Sequence, residues 1–195
     1  MVTPDPIRVE FLADCPQVQA SVVRWLHNQW FHDFGYSPGS TTEMIRARLN
    51  RVRLPLALVA LAGSQPIGTV SLIEDQPPDE TGRVGCLAGL YVLPHWRGEG
   101  IGTRLCRRVV REARRLHLPA VCLYTKETEA FYARLGWRKV MDALVTTGGE
   151  LDVCTFMQLE TTVFTITDSS ICGYPMSRAS AGEPLAIACV SRKPL

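Results

Sequence analysis

A glycine-rich turn stands between an apolar segment and a long amphipathic segment of the chain. Glycines occupy positions 98, 100 and 102, Arg97 precedes them, and Thr103 follows them. The first backbone N–H groups of a helix have no partner within the helix and carry the positive end of its dipole. Glycines there let the chain turn tightly and remove side chains that would block a diphosphate. The pattern therefore predicts an anion-binding turn, with a tight turn that binds no ligand as the alternative.

Two other phosphate-binding patterns do not fit this turn. A P-loop ends in Gly-Lys-Ser/Thr, whereas Gly102 is followed directly by Thr103. A dinucleotide fingerprint is G-x-G-x-x-G, whereas the glycines here follow G-x-G-x-G after an arginine. The glycine-rich turn is therefore neither a P-loop nor a dinucleotide-binding fingerprint.

The periodicity of apolar residues predicts the elements that position this turn. Strands are expected at residues 7–12, 54–62, 67–74, 86–93, 120–124, 137–141 and 151–159. Helices are expected from Asp14 to about Trp30, from a capping box at Ser40 to Arg51, and at residues 100–116 and 127–135. The order β-α-α-β-β-β-α-β-α-β-β predicts an α/β fold with a mixed central sheet flanked by helices.

Length and composition favour one domain with an appendage. The chain has 195 residues, of which 46% are hydrophobic and 21% charged. We expect a domain over residues 1–160, followed by an extension at 161–195 that is rich in Thr, Ser, Gly and Pro and is a candidate for partial disorder. The role of this extension is unknown.

Charge and hydropathy limit the partners and the location. A net charge of +2 does not indicate a nucleic-acid partner. No run approaches the ~18 apolar residues of a membrane span, and the N-terminus lacks the pattern of a signal peptide. We therefore expect a cytoplasmic protein without a membrane partner; a homodimer is left open.

The cysteines and histidines predict no metal site. The seven cysteines are odd in number, and no two of them form C-x-x-C. His27 and His32 lie five apart, which is not the spacing of a helical metal pair. The cysteines are best interpreted as small buried hydrophobic residues in a reducing compartment.

Three motifs together resemble the GNAT family of N-acetyltransferases. Arg97-x-x-Gly100-x-Gly102, preceded by Leu-Tyr-Val-x-Pro, is similar to the family's R/Q-x-x-G-x-G/A motif. The segment at 130–137, AFYARLGW, is similar to its F-Y-x-x-L-G-F/W segment, and residues 68–72 resemble its third strand. The resemblance covers about residues 7–159.

The resemblance implies acetyl-CoA as co-substrate, bound between two parallel strands that splay apart, here residues 86–93 and 120–124. It implies direct acetyl transfer, so no cysteine is required as a nucleophile. Tyr132 is then the general acid, since a phenol with a pKa of ~10 can protonate the departing thiolate; packing on the CoA arm is its alternative role. The implied cofactor-binding residues are Tyr91, Val92, Arg97, Gly98, Glu99, Gly100, Ile101, Gly102, Thr103 and Phe131.

The general base departs from the family pattern. Many members carry a glutamate on the fourth strand, but residues 84–89 contain no carboxylate. Glu74 is the candidate base, directly or through water, with a solvated loop entrance as the alternative interpretation. An asparagine common ahead of the Phe-Tyr pair is also missing, and Thr125 and Lys126 occupy that stretch.

The acceptor is expected to be a primary amine, with a small molecule favoured. A protein lysine or N-terminus is the alternative, and a non-catalytic acyl-CoA-binding or sensing module is the rival from another class. Trp30 and Phe31 are candidates for the wall of the amine pocket, or else for the core.

Overall fold

A computed structural model describes residues 6–75, 84–147 and 150–161 of the chain. Strands are β1 (Ile7–Phe11), β2 (Leu56–Ala62), β3 (Gln65–Asp75), β4 (Val84–Val92), β5 (Ala120–Thr125), β6 (Arg138–Thr147) and β7 (Glu150–Glu160). Helices are α1 (Gln19–Leu26), α2 (Pro38–Arg46), α3 (Ile101–Arg115) and α4 (Glu129–Ala133). The element order agrees with the sequence-based prediction.

The strands form one mixed sheet in the order β1-β2-β3-β4-β5-β7-β6. Only β4 and β5 are parallel neighbours among the pairings of the described residues; the others are antiparallel. The predicted α/β fold with a mixed sheet flanked by helices is confirmed.

Strand β2, next to the edge strand β1, shows how the sheet is covered on both faces. Its residues Leu56 to Leu61 are all buried. Leu56, Leu58 and Ala60 pack in the cluster that contains α3, while the alternate residues pack in the cluster that contains α1 and α2. Because strand side chains alternate between faces, a continuous apolar run is what two covered faces require.

Helix α3 is amphipathic, and its apolar side lies on the sheet. Ile101, Leu105 and Val109 are buried against β2, β3 and β4. Most of its arginines lie on the outer side, but the buried carboxylate of Glu112 accepts hydrogen bonds from Arg108 and Arg115, each at 2.6 Å. Two of the arginines of α3 are therefore tied to a buried carboxylate.

The helices on the other face differ from the predicted bounds. α2 begins at Pro38, because the hydroxyl of Ser37 accepts the N–H of Ser40 at 3.0 Å; the predicted capping box at Ser40 is wrong. α2 also ends at Arg46, before the predicted Arg51.

The predicted first helix is divided into three kinds of turn. Short 3₁₀ turns precede the regular part, and a π turn at His27–Phe31 follows it. The sixth strand is longer than predicted, because its pairing with β7 continues to Thr147.

Candidate active site

An opening lies between β4 and β5. The two strands pair only at Gly85 with Val121 and at Cys86 with Cys122, although β4 continues to Val92. Across the same stretch β4 carries an extra residue relative to β3, and Gly89 there adopts a φ of +62°. Such a bulge bends a strand, and glycine takes this left-handed conformation without a Cβ clash. The predicted splaying of the two parallel strands is thus present, and a bulge accompanies it.

The backbone of Val92 faces this opening. The N–H of the next residue, Leu93, donates to the carbonyl of Ile67 at 3.0 Å, toward the β3 side. Successive residues of a strand direct their N–H and C=O groups to opposite edges, so those of Val92 point away from β3. The Val92 carbonyl accepts Nε–H of Arg97 at 3.2 Å. The Val92 N–H is therefore directed to where β5 has moved away.

The glycine turn forms an uncapped helix N-terminus beside the opening. Gly98 and Gly100 have φ of +84° and +74°, which L residues rarely adopt. Gly100 is the N-cap of α3; no side chain caps the helix, and no acidic residue lies in its first turn. The first N–H groups of α3, at Ile101, Gly102 and Thr103, have no partner within the helix. The turn presents a concentration of partial positive charge that suits a phosphate.

The turn residues contribute in different ways. Ile101 is only 1% exposed and packs in the core, so it offers a ligand almost no accessible surface. Glu99 is exposed, and Thr103 is half-buried. The Arg97 side chain folds back on β4 through its bond to Val92. The predicted anion site thus consists mainly of backbone donors.

Tyr132 and Phe131 connect this turn to the second splayed strand. A Cβ atom placed on Gly102 would lie 3.3 Å from Cζ of Phe131, so the helix start packs closely on that ring. The Tyr132 ring is 6% exposed and contacts the rings of Phe131 and Trp137, with centroids 5.0 and 6.0 Å away. A side chain at position 102 would require the Phe131 ring to shift by a few tenths of an ångström.

The start of α4 is tied to the end of β5. The Thr125 hydroxyl accepts the N–H of Thr128 at 3.2 Å, and the two hydroxyl oxygens lie 2.7 Å apart. Both threonines are buried. Thr125 thereby ties the start of α4, the helix that carries Tyr132, to the end of β5. From the sequence, Thr125 was noted only because it lies where the family commonly has an asparagine, and its bond to Thr128 was not predicted.

Glu74 lies away from the opening. It pairs with Gly85, at the end of β4 where β4 and β5 are still joined. Its side chain is exposed, and it shares a sheet face with Leu72, which packs in the α3 cluster. The position supports a solvated strand end rather than direct contact with a reacting group.

The two predicted pocket residues, Trp30 and Phe31, occupy different positions. Phe31 is 0% exposed and packs against Tyr36 within the core. Trp30 is 4% exposed and contacts the ring of Tyr91 on β4. Trp25 on α1 contacts the same ring. Only Trp30 therefore adjoins the predicted site.

The described cysteines are free thiols in buried positions. They are Cys15, Cys86, Cys106, Cys122 and Cys154. Burial raises the pKa of the Cys106 thiol to about 12. The pKa of the Cys154 thiol is also raised, mainly by burial and to a smaller extent by the negative charge of Asp152. A thiol is a poor nucleophile when its pKa is raised. Cys172 and Cys189 lie outside the described residues.

The described ranges contain neither a cluster of metal-ligating side chains nor a membrane-spanning helix. No three His, Cys, Asp or Glu residues of those ranges are grouped as metal ligands would be. No helix there has the length and apolar character to cross a membrane.

Comparison with known proteins gives a family match and several similar folds. The model of the acetyltransferase (GNAT) family matches residues 20–137. An aminoglycoside 6′-N-acetyltransferase complexed with coenzyme A has a TM-score of 0.65 at 19% identity, covering 82% of this chain and 98% of that one. A protein from Salmonella typhimurium, assigned provisionally as an acetyltransferase and solved with acetyl-CoA, has a TM-score of 0.62 at 20% identity, covering 85% and 99%.

A GNAT-family acetyltransferase from Staphylococcus aureus Mu50 has a TM-score of 0.59 at 16% identity, covering 80% of this chain and 100% of that one. No curated protein matches the chain significantly. At these identities, the structural similarities show the shared fold.

Proposed function

The chain belongs to the acetyltransferase (GNAT) family, and from this premise we propose that it transfers the acetyl group of acetyl-CoA directly to a primary amine of a small molecule. The observation that carries the proposal is the opening between β4 and β5 beside the uncapped N-terminus of α3. An elongated donor with a diphosphate fits this arrangement, its phosphates on the turn and its acyl end at Val92. Similar folds solved with coenzyme A and acetyl-CoA support the same donor.

The donor supplies an activated acetyl group, and the residues around the opening complete the reaction. The amine nitrogen attacks the thioester carbonyl, a C–N bond forms, and the C–S bond breaks. The Val92 N–H, directed into the opening, donates to the carbonyl oxygen as negative charge develops there. The Tyr132 hydroxyl gives its proton to the sulfur that leaves.

The amine must lose a proton before or during attack, since an alkylamine has a pKa of ~10.4. Glu74 lies at the joined end of β4 and β5. Any role for Glu74 as the base therefore runs through water.

The proposed class of acceptor is taken from the proteins with similar folds. Aminoglycoside acetyltransferases are among the similar folds, and they favour a small-molecule amine. A protein lysine or N-terminus is the alternative acceptor. Cytoplasmic location and the absence of a metal remain predictions.

A non-catalytic acyl-CoA sensor is the second candidate. It is favoured by one observation: β4 contains no carboxylate. A sensor would bind acetyl-CoA without releasing CoA in the presence of any amine, whereas the proposed enzyme releases CoA when an acceptor is supplied.

Replacement of Gly102 tests donor binding. Gly102→Asp places a negative charge in the first turn of α3, where an acidic residue is compatible with the helix but repels phosphate. Gly102→Asn has nearly the same shape without the charge, and both meet Phe131 equally. We expect calorimetry to show acetyl-CoA binding by wild type and Gly102→Asn, with affinity at least about tenfold lower for Gly102→Asp.

The same preparations are then tested for CoA release with a panel of primary amines. Folded wild type that does not bind acetyl-CoA would contradict the proposal. Binding without CoA release from any amine would favour the sensor.

A further inference from the structure

Three aromatic side chains meet beside the opening. The ring of Tyr91 contacts the ring of Trp25, with centroids 5.6 Å apart and planes inclined by 32°. It also contacts Trp30, with centroids 6.3 Å apart and planes at 83°. Trp25 and Tyr91 are half-buried. We call these three residues the aromatic cluster; it has ring surface that solvent or a ligand can reach.

The π turn after α1 accounts for this meeting. Residues five apart in a regular α-helix lie about 140° apart around the axis, so Trp25 and Trp30 would face different directions. In the π turn the N–H of His32 donates to the carbonyl of His27, five residues earlier, at 2.8 Å. This wider turn returns Trp30 to the side of Trp25. Single π turns of this kind are frequent at functional sites.

The aromatic cluster lies on the side of the sheet away from α3. Leu90 and Val92 pack in the α3 cluster, whereas Tyr91 packs against the cluster containing α1 and the π turn. Under the proposed function, the donor phosphates and Tyr132 are on the α3 side. The aromatic cluster is then one residue from the Val92 N–H and on the side left for the acceptor.

The strand and helix segments nearest the aromatic cluster contain no carboxylate among the described residues; Asp33, two residues after the π turn, pairs with His32 at the surface. The segments β4, β5, α1 and the π turn contain neither Asp nor Glu. An aliphatic amine arrives as a cation, because its pKa of ~10.4 lies above neutral pH. Aromatic ring faces attract cations without a formal charge, and tryptophan does so most strongly.

We propose that the aromatic cluster is a cation-binding subsite for the acceptor, which is an aliphatic amine with a second positive charge. This inference rests on the proposed function for its acceptor but not for its cation binding. One amino group enters the opening, and the other cationic group lies against the half-buried rings of Trp25 and Tyr91, with the buried Trp30 packed against Tyr91. The alternative is that the three rings only pack together as an apolar surface.

Binding of a probe that cannot be acetylated tests the subsite without turnover. Choline carries a quaternary ammonium group, and 3,3-dimethylbutan-1-ol is its uncharged isostere. We expect choline to shift the indole N–H signals of Trp25 and Trp30 in NMR titrations, with affinity about 3- to 30-fold higher than that of the isostere. Signals of Trp96 and Trp137, outside the aromatic cluster, serve as internal controls. Equal or tighter binding of the isostere, or no binding of either probe, would overturn the proposal.

Matched variants of Trp25 separate ring electrostatics from packing. Trp25→Phe keeps an aromatic face, while Trp25→Leu keeps apolar volume without one. We expect the preference for choline to persist in Trp25→Phe and to disappear in Trp25→Leu. Tyr36→Leu removes a ring that contacts Phe31 outside the aromatic cluster and should leave the preference intact. The same preference in Trp25→Leu and Trp25→Phe would refute the role of the ring.

Turnover gives the second arm of the test. In Trp25→Leu we expect KM for an aliphatic diamine to rise about 3- to 30-fold, with KM for a monoamine of equal length and for acetyl-CoA nearly unchanged. Equal KM changes for diamine and monoamine would overturn the subsite. If wild type transfers acetyl to no amine while choline binding behaves as expected, the proposed reaction fails and the cation subsite stands.

Discussion

Tyr132 is the residue whose role in the proposed reaction is most directly testable. Its ring is held by Phe131 and Trp137, so Tyr132→Phe removes the hydroxyl and keeps the packing. We expect kcat to fall about 10²- to 10⁴-fold, because the thiolate then leaves without a proton donor. Acetyl-CoA affinity, measured by calorimetry, should stay within about twofold of wild type.

Tyr36→Phe is the matched control, since Tyr36 lies on the other side of the sheet, in the α1 and α2 cluster. Wild-type kcat in Tyr132→Phe would show that Tyr132 only packs.

The sequence identified some residues of the candidate site better than others. The glycines at 98 and 100 were predictable because a turn into a helix needs backbone that only glycine adopts readily. Tyr132 and Phe131 were identified only by family resemblance, because no local pattern marks an acid. Glu74 was chosen by proximity along the chain, which does not show that it pairs with Gly85 where β4 and β5 are joined. The tie between Thr125 and Thr128 depends on how β5 meets α4, which spacing does not show.

The attachment of α3 to the sheet edge depends on Glu112. Arg108, held by Glu112, also donates to the carbonyl of Val9 on the edge strand β1 at 2.7 Å. Arg115, held by the same carboxylate, donates to the carbonyl of Arg51. Burial acts to raise the pKa of Glu112, but the hydrogen bonds and charges of the two arginines outweigh it and hold that pKa below its ordinary value of 4.5.

Glu112→Gln should therefore destabilise the fold in a pH-dependent way. A carboxyl whose pKa is lowered by folding stabilises the protein above its unfolded pKa and loses that effect as pH falls through the folded pKa. We expect a loss of about 3 kcal/mol at pH 7 by urea denaturation, since the change leaves two arginines without a counter-charge. The difference from wild type should shrink below about pH 4.

Glu43→Gln is the control for this prediction. Glu43 pairs with Arg46, but both side chains are largely exposed. A surface pair of this kind contributes about 0–1 kcal/mol, so the loss should be small at every pH. Equal losses for Glu43→Gln and Glu112→Gln would contradict the anchoring role of Glu112.

Elements were predicted best where periodicity is strong and worst at their ends. β2 was predicted from its continuous apolar run, and α3 was predicted from apolar residues at helical spacing. Both patterns are reliable because burial imposes them on the sequence. The start of α2 was misplaced because Ser37 and Ser40 are both acceptable caps, and tertiary packing selected Ser37. The π turn was missed because a pattern of 3.6 residues per turn does not anticipate bonds five residues apart. Gly89, an isolated glycine within a strand, was the one local signal for the bulge.

At the scale of the molecule, one opening joins the two faces of the sheet. α3 and α4 bring the anion-binding turn and Tyr132 to one face, while α1 and the π turn bring the aromatic cluster to the other. This arrangement suits two substrates that approach from opposite sides and meet at Val92. Leu144 on the edge strand β6 lies opposite Val153 on β7, and the two side chains are 63% and 60% exposed. A homodimer remains a prediction that light scattering can test.

The residue that follows β7 is tied to the end of α3 and to the residues just before β5 by several hydrogen bonds. Thr161 is buried; its N–H donates to the carbonyl of Pro119 at 3.0 Å, and its hydroxyl donates to the carbonyl of Leu118. Its own carbonyl accepts Nε–H of Arg114 at 3.2 Å. We therefore predict that the folded domain extends to residue 161, one residue beyond the boundary expected from the sequence.

Two truncations test whether the domain ends there. A chain of residues 1–161 keeps all of these bonds, and we expect its unfolding temperature and acetyl-CoA affinity to stay close to those of the full chain. A chain of residues 1–158 loses the bonds of Thr161 and the last β7 pairs with β5, at Ala120 and Val121. At about 1 kcal/mol for each hydrogen bond, its unfolding temperature should fall by roughly 5–15 °C in differential scanning fluorimetry. If the 1–161 chain falls as far as the 1–158 chain, residues 162–195 belong to the folded domain, and the predicted division is wrong.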